Sequence, residues 1–278
     1  MATARAGHRR PFEATDLPGS GSFLACRTAV FRPFEDAALR WIARLGIRHV
    51  EMHVPARERI ADLRRELDFL GLRVSVLQGA CDVARADVAE QVQSQMPTFA
   101  ALGCTRMLIR GNTDEVPLAL ACERLRAAAE AAATQGVTIL IETHPGFAPN
   151  AATALRTIQT VDHPTVRLNF DPANIHYYNR DLDPVEELRQ VAPFVAAVHL
   201  KDTTGGFQKR DFPELGSGIV NFAALLKLLD DHQFAGPLTL EIEGREDEER
   251  TEALIVSRLE RSLEHLRALR GERFGRFA

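Results

Sequence analysis

The sequence lacks the features that mark membrane proteins, secreted proteins and small zinc modules. No apolar run approaches the ~18–20 residues that a membrane-spanning helix requires. The N-terminal stretch bears arginines and has no apolar core of a signal peptide. The four cysteines are scattered without a C-x-x-C pair, so no zinc knuckle is expected. We therefore expect a soluble, cytoplasmic protein with no membrane partner and with reduced, buried cysteines.

Positive charge is also in short supply. The 34 lysines and arginines are outnumbered by 38 aspartates and glutamates, which gives a formal net charge of −4. A protein that binds nucleic acid needs a cationic surplus to neutralise phosphates. The charge balance therefore predicts no nucleic-acid partner.

No linker divides the chain. With 45% hydrophobic and 26% charged residues among 278, the composition is that of an ordinary globular protein with ample material for a core. No segment rich in proline, glycine and serine separates two halves. We expect a flexible N-terminal arm at residues 1–21 and one catalytic domain at residues 22–278.

The dominant pattern is a repeat in which an alanine- and leucine-rich helix ends at a glycine and a strand follows at once. Glycine suits this place because the residue after a helix often needs a positive φ. The early repeats are roughly thirty residues long, which accommodates one strand, one helix and two loops. The glycines at these junctions are Gly46, Gly71, Gly103, Gly136 and Gly236.

Hydrophobic periodicity completes the set of elements. Strands are predicted at residues 23–28, 47–53, 72–78, 104–110, 137–142, 165–170, 194–200 and 237–243. Helices are predicted at residues 35–45, 56–70, 83–102, 117–134, 222–231 and 248–270. Eight strand–helix units of this size predict an α/β fold, a single (β/α)8 TIM barrel. The alternative is an open doubly wound sheet, although the G-x-G-x-x-G fingerprint of its dinucleotide-binding version is missing.

Polar residues stand at the carboxyl ends of the predicted strands, which form the catalytic mouth of such a barrel. Four of them, on separate strands, are Glu142, Asp171, His199 and Glu241. Carboxylates gathered at the ends of apolar strands are costly unless a cation compensates them. Three oxygens and one nitrogen suit manganese, magnesium or cobalt better than a structural zinc. We therefore predict a divalent metal site for manganese, magnesium or cobalt, with zinc as a further alternative, against a coincidence of surface residues.

Other polar residues near the mouth are candidate substrate ligands, and each could instead be structural. They are Lys201, His144, Asn174, His176, Arg110, Gln78 and Glu51. Lys201, for example, could form an ion pair with Asp202 or Glu142. The backbone amides of residues 216–218 could cradle a phosphate or form a two-glycine turn. Aromatic residues of the predicted upper loops could cover a sugar or a subunit contact of a homo-oligomer, namely Phe147, Tyr177, Tyr178 and Phe207.

Five segments have sequences characteristic of one family. They are residues 139–142, 168–174, 198–202, 215–218 and 240–243. As a set they resemble the xylose isomerase-like TIM-barrel superfamily, in particular its sugar isomerase/epimerase branch. The resemblance implies a divalent metal, often manganese, held by Glu142, Asp171, His199 and Glu241, with the two glutamates also transferring protons. One departure is Asn174, which stands where many epimerases have a histidine, with His176 following.

The resemblance and the metal chemistry together predict an isomerase or epimerase of a ketose or related hydroxycarbonyl sugar. The cation would stabilise an enediolate while Glu142 and Glu241 abstract and return the proton. A metal-dependent dehydratase or lyase of a keto-sugar or keto-inositol would use the same ligands, and a sugar-binding barrel would keep the pocket without catalysis. An endonuclease IV-like nuclease is disfavoured, because Arg110 and Asn174 replace expected histidines.

Overall fold

The computed structural model describes residues 21–111, 113 and 115–274, with side chains up to residue 269. The predicted N-terminal arm at residues 1–21 lies outside the described residues except for Gly21. In the described part of the chain, no helix is both long enough and apolar enough to span a bilayer. The cysteines are free thiols; three are buried as predicted, whereas Cys81 is half-buried.

Eight parallel strands close into a barrel, which confirms the (β/α)8 prediction and shows that the open-sheet alternative is wrong. The barrel strands are β1 (Phe23–Arg27), β2 (His49–His53), β3 (Arg73–Gln78), β4 (Arg106–Ile109), β5 (Thr138–Glu142), β6 (Val166–Phe170), β7 (Val195–Leu200) and β9 (Pro237–Leu240). Closure comes from β9, which pairs with both β7 and β1. Two short strands, β8 (Asp211–Phe212) and β10 (Gly244–Arg245), pair with each other outside the barrel.

Helices connect successive strands. They are α1 (Glu35–Arg44), α2 (Ile60–Leu70), α3 (Val88–Leu102), α4 (Leu118–Ala133), α5 (Ala151–Val161), α6 (Pro172–Tyr178), α7 (Pro184–Val191), α8 (Phe222–Asp231) and α9 (Glu252–Phe274). Gly71 and Gly103 follow α2 and α3 with φ of 65° and 63°. A residue with a Cβ rarely adopts this left-handed conformation, so the two glycines end their helices as the sequence predicts.

Strand alternation separates two cores. Most buried apolar side chains pack between the barrel and its helices. A second set, which we call the inner cluster, fills the barrel and consists of Val76, Leu108, Leu140 and Ala197. Because side chains two residues apart point to the same side of a strand, the next inward positions on these strands lie at the mouth. Those positions hold Gln78, Arg110, Glu142 and His199.

Candidate metal centre and active site

The four predicted metal ligands converge at the barrel mouth. Glu142 ends β5, Asp171 follows β6, His199 lies near the end of β7, and Glu241 follows β9. One potential ligand atom from each residue lies within 4.8 Å of the others. All four side chains are almost completely buried. Barrel closure therefore brings residues from four separate strands into one cluster.

The facing atoms of this cluster have no hydrogen-bond partner among the residues that the structure describes. They are Glu142 Oε2, Asp171 Oδ2, His199 Nδ1 and Glu241 Oε2. His199 Nδ1 lies 2.9 Å from Glu241 Oε2 and 3.3 Å from Glu142 Oε1, yet neither contact has hydrogen-bond geometry. Buried polar atoms without partners are costly. Three carboxylates and an imidazole nitrogen around one point are a donor set that fits a divalent cation.

The imidazole of His199 is held from behind by Glu51. Its Nε2 lies 3.1 Å from both carboxylate oxygens of Glu51, which is fully buried. This contact directs Nδ1 toward the cluster, as outer carboxylates do for metal-binding histidines. Burial would lower the pKa of His199, but Glu51 and Glu241 raise it well above its usual value. The position of Glu51 therefore favours orienting the imidazole over the predicted contact with substrate.

Arg27 is a site residue that the sequence reasoning missed. Its buried guanidinium donates to Glu241 Oε1 and to Gln78 Oε1, and its Nε lies 3.5 Å from Glu51 Oε1. Burial would lower the pKa of Arg27, but Glu241 and Glu51 raise it, so the side chain stays charged. The signal was present: an arginine ends the apolar strand β1, two residues after the buried Ala25.

Lys201 supplies a second buried positive charge. Its Nζ lies 3.1 Å from Glu243 Oε1 and 3.7 Å from both Asp171 Oδ2 and Glu241 Oε2. Burial would lower the pKa of Lys201, but Glu241 and Asp171 raise it. The predicted ion pair with Asp202 or Glu142 is therefore replaced by contacts with carboxylates on both sides of the mouth.

Asp202 has a structural role that excludes the predicted phosphate cradle. Its carboxylate accepts hydrogen bonds from the backbone N–H groups of Gly216 and Gly218, at 2.9 Å each. It also accepts from Thr203 and Val220. Because these amides already serve a buried carboxylate, the cradle prediction for residues 216–218 is wrong, and the alternative of a two-glycine turn holds. A Cβ at Gly218 would collide with that carboxylate.

A cleft of about 130 Å³ opens beside Glu142. Four predicted substrate ligands line it, namely Arg110, His144, Asn174 and Lys201, together with the aromatic residues Tyr177, Tyr178 and Phe212. The hydroxyl of Tyr178 lies 2.9 Å from His144 Nε2. Arg110 Nε lies 3.4 Å from Glu142 Oε2. The cleft thus places polar groups and aromatic rings next to Glu142, one of the candidate metal ligands.

The remaining predicted site residues lie around this cleft. Gln78 contacts Arg27, and Asn174 donates its backbone N–H to Asp171 Oδ1, which caps α6. His176 is half-buried on α6. It is not among the described residues that line this cleft, nor among those of a second cleft described next. Phe147 is fully buried among the apolar side chains between the barrel and its helices, so its predicted place over a sugar or at a subunit contact is wrong.

A second cleft, of about 270 Å³, adjoins the first on the side of Glu241. The two share Arg110, Arg210 and Glu243 in their walls. The candidate metal cluster therefore has one glutamate facing each cleft, with Glu142 in the first and Glu241 in the second.

Comparison with known proteins gives one family and several related folds. A family model described as xylose isomerase-like TIM barrel matches residues 39–269, well over half of the chain. A curated 3-dehydroshikimate dehydratase from Bacillus anthracis is 30% identical over 80 residues, which is 28% of this chain and 28% of that protein. The match thus spans less than a third of the relative's length.

Two solved structures show the same architecture. D-psicose 3-epimerase from Clostridium cellulolyticum H10, solved with D-tagatose, has a TM-score of 0.72 and 12% identity over 90% of this chain and 99% of that one. A xylose isomerase-like TIM barrel protein from Mycobacterium smegmatis, in complex with magnesium, has a TM-score of 0.70 and 19% identity over 94% and 99%. With its closed barrel, its clustered ligands and this family match, the chain belongs to the xylose isomerase-like TIM barrel family.

Proposed function

We propose that this protein is a divalent-metal-dependent enzyme that moves a proton at the carbon beside a carbonyl of a hydroxycarbonyl sugar, as an isomerase or epimerase. The observation that carries the proposal is a cluster of four buried potential ligand atoms that have no hydrogen-bond partner within the described part of the chain, and whose two glutamates face adjoining clefts. Enzymes of related fold, including an epimerase and a dehydratase, support an activity on a small molecule.

Glu142, Asp171, His199 and Glu241 would hold the cation. Manganese is favoured and magnesium is an alternative, because the donors are mostly carboxylate oxygens. When bound, the cation would neutralise negative charge that develops on substrate oxygens as a C–H proton leaves. This explains why the mouth tolerates several buried carboxylates close together.

Glu142 and Glu241 are the proposed proton carriers. In the metal-free protein, burial would raise the pKa of Glu142, but His199 lowers it to about 2, so the carboxylate is ionised at neutral pH before a metal binds. A bound cation would also favour the ionised form. A substrate lying across both clefts would meet the two carboxylates from different sides. Return of the proton to the opposite face gives the epimer, and return to the neighbouring carbon gives the aldose or ketose isomer.

Lys201 and Arg110 would orient the substrate. Lys201 is buried against the metal ligands, and Arg110 is half-exposed beside Glu142. Both can donate hydrogen bonds to a carbonyl or hydroxyl oxygen that borders the reacting carbon. Tyr177 and Tyr178 form an aromatic wall that would exclude water from the same space.

A dehydratase is the second candidate function, and His144 is the observation that favours it. Its imidazole lies in the first cleft and contacts the Tyr178 hydroxyl, so this pair can deliver a proton to a departing hydroxyl group. The partial match to a 3-dehydroshikimate dehydratase agrees with this alternative. A dehydratase removes water from its substrate, so mass spectrometry would detect a product that is lighter by one water molecule. An isomerase or epimerase gives a product of the same mass as the substrate.

Proton exchange tests the proposed function directly. Manganese-loaded protein is incubated in D2O with a panel of ketoses and hydroxyketones, and NMR follows the hydrogen beside the carbonyl. We expect exchange that chelation abolishes and that Glu142→Gln or Glu241→Gln slows by about 10²–10⁴-fold. Glu186→Gln on α7, which removes only an exposed ion pair with Arg189, is the control. Exchange that survives chelation and both site substitutions would contradict the proposal.

A further inference from the structure

The second cleft is rich in guanidinium groups. Its walls contain five arginines, and we call it the arginine cleft. These are Arg27, Arg32, Arg110, Arg210 and Arg250. They come from widely separated parts of the chain, and barrel closure gathers them. Among the described residues, two carboxylates, those of Glu241 and Glu243, line the same cleft.

Two of these arginines are fixed by the fold. Arg27 is buried against Glu241, Gln78 and Glu51. Arg250 donates to the backbone oxygens of Glu243 and Val30. The Nε of Arg250 is buried and has no hydrogen-bond partner within the described part of the chain. The back of the cleft is therefore a rigid cationic surface.

The other three arginines retain free donor capacity. Their side chains are more than half exposed, at 59% for Arg32, 52% for Arg110 and 53% for Arg210. Their ion-pair distances to carboxylates are 3.2, 3.4 and 3.8 Å respectively. A guanidinium has five N–H donors, so each can bind a further anion. The front of the cleft is thus an adjustable cationic rim.

The net charge at the mouth also favours the binding of an anion. Six positive side chains, the five arginines and Lys201, lie among six carboxylates of the described residues, when Glu35, the ion-pair partner of Arg32, and Glu51 are counted with those of the cluster and the two clefts. A divalent cation would therefore leave a surplus of two positive charges. Such a surplus in a partly enclosed mouth attracts anions and raises their local concentration.

We propose that the substrate carries an anionic group, a carboxylate or a phosphate, which binds in the arginine cleft while its hydroxycarbonyl end lies at the metal centre. Arginine binds both groups with paired hydrogen bonds, which fixes orientation as well as affinity. The cleft volume of about 270 Å³ suits such a group with a few carbons attached. The inference rests on the proposed function for the reacting end of the substrate only.

Anion binding tests the cleft itself. Calorimetry measures binding of inorganic phosphate and of acetate to the manganese-loaded protein. Arg32 and Arg210 are exposed, so the double variant Arg32→Gln/Arg210→Gln should fold. We expect it to weaken anion binding about tenfold or more, because hydrogen bonds to charged groups are lost. The matched control Arg65→Gln/Arg189→Gln removes two exposed arginines of α2 and α7 and should bind as the unmodified protein does.

Equal binding by all three proteins would overturn the inference, because the anion would then bind at the metal alone. Absence of binding to the unmodified protein would overturn it as well. Phosphate and acetate are separate arms: the one whose affinity depends on Arg32 and Arg210 identifies the preferred anionic group.

Matched substrates test specificity. D-fructose, D-fructose 6-phosphate and D-fructuronate differ only in the group at one end, and other hydroxycarbonyl compounds are tested in the same neutral and anionic sets. In D2O exchange we expect the anionic members to have a KM at least about tenfold lower than the neutral one. The double variant should reduce or remove this preference, which is measured as the ratio of the neutral to the anionic KM within each protein, whereas the control Arg65→Gln/Arg189→Gln should keep it.

The two proposals fail in different ways. Exchange on neutral members alone, without anion binding in the cleft, would overturn the inference and leave the proposed function standing. Anion binding that depends on Arg32 and Arg210, without exchange on any member, would retain the arginine cleft and overturn the proposed function.

Discussion

Two inward-facing levels of the barrel, two residues apart on the same strands, have opposite chemistry. The inner cluster contains Leu140 and Ala197, whereas the next level contains Glu142 and His199. The lower level is apolar and needs no partner, while the upper one holds Glu142 Oε2 and His199 Nδ1, which have no hydrogen-bond partner among the described residues and which a cation could satisfy. The same strand alternation therefore places a stabilising apolar cluster inside the barrel and, two residues further along each strand, the polar side chains of the candidate active site.

The largest expected effect comes from removing one charge at the upper level. Asp171→Asn keeps a side chain that can still cap α6, because asparagine and aspartate are equally good N-caps. Loss of a residue that only supports a metal ligand lowers metal affinity about 10–100-fold. We expect Asp171→Asn to lower manganese affinity by more than this, with little change in Tm. Isothermal titration measures the affinity, and Asp68→Asn, on the exposed face of α2, is the control. Unchanged affinity would show that Asp171 is not a ligand.

A substitution at the lower level should reduce the stability of the fold and leave metal binding unchanged. Leu140→Ala leaves a cavity in the fully buried inner cluster, and such changes cost about 2–5 kcal/mol in the free energy of unfolding. Metal stoichiometry should stay the same in the folded protein. Denaturant unfolding and metal titration of one sample check both halves. If Leu140→Ala abolished metal binding in folded protein while stability hardly changed, the division between the two levels would be wrong.

A smaller effect is expected at Glu51, behind the cluster. Glu51→Gln keeps the shape but weakens the contact with His199 Nε2. We expect manganese affinity to fall about 10–100-fold, and the exchange rate at saturating metal to change little, because Glu51 is fully buried. A reduced rate at saturating metal with unchanged affinity would instead give Glu51 the direct substrate role that the sequence suggested.

The smallest expected effect is a pH dependence of metal binding. The pKa of His199 in the metal-free protein is raised, with burial opposing and Glu51 and Glu241 supporting the charged form. Its protonated form therefore stabilises the metal-free fold fully below a pH of about 6.5, and this stabilisation is lost as the pH rises through the folded-state pKa. Manganese must displace this proton, so affinity should fall by up to about tenfold per pH unit below that pKa.

Calorimetry in buffers of different ionisation enthalpy measures the protons released on binding. Release at neutral pH supports the prediction. Binding without release would show that His199 is not protonated in the metal-free protein.

Much of the fold and the metal cluster could be predicted from local patterns. Glu142 and Glu241 were predicted as candidate site residues because a charged side chain at the end of an apolar strand is unusual and costly without a partner. Arg27 has the same placement but was missed, because no nearby residue in the sequence indicates a partner. Its partner Glu241 lies 214 positions away and becomes a neighbour only through barrel closure.

Residues outside the cluster were harder to assign. Glu51 lies in the middle of β2 rather than at its end, and its partner is His199 rather than a group in the cleft. The amides of Gly216 and Gly218 resemble an anion cradle in sequence, but the carboxylate of Asp202 already accepts from them. In each case the type of residue indicated its chemistry, and the identity of the partner required the packed structure.

By itself, the sequence determined the order of strands and helices and which strand ends carry charge, because periodicity and helix-ending glycines act over a few residues. Tertiary structure alone decided which charges meet. Closure of β9 onto β1 brings Arg27 to Glu241 and gathers five arginines beside the metal cluster. Electrostatic interactions depend on distance through space, so separation along the chain could not indicate these pairings.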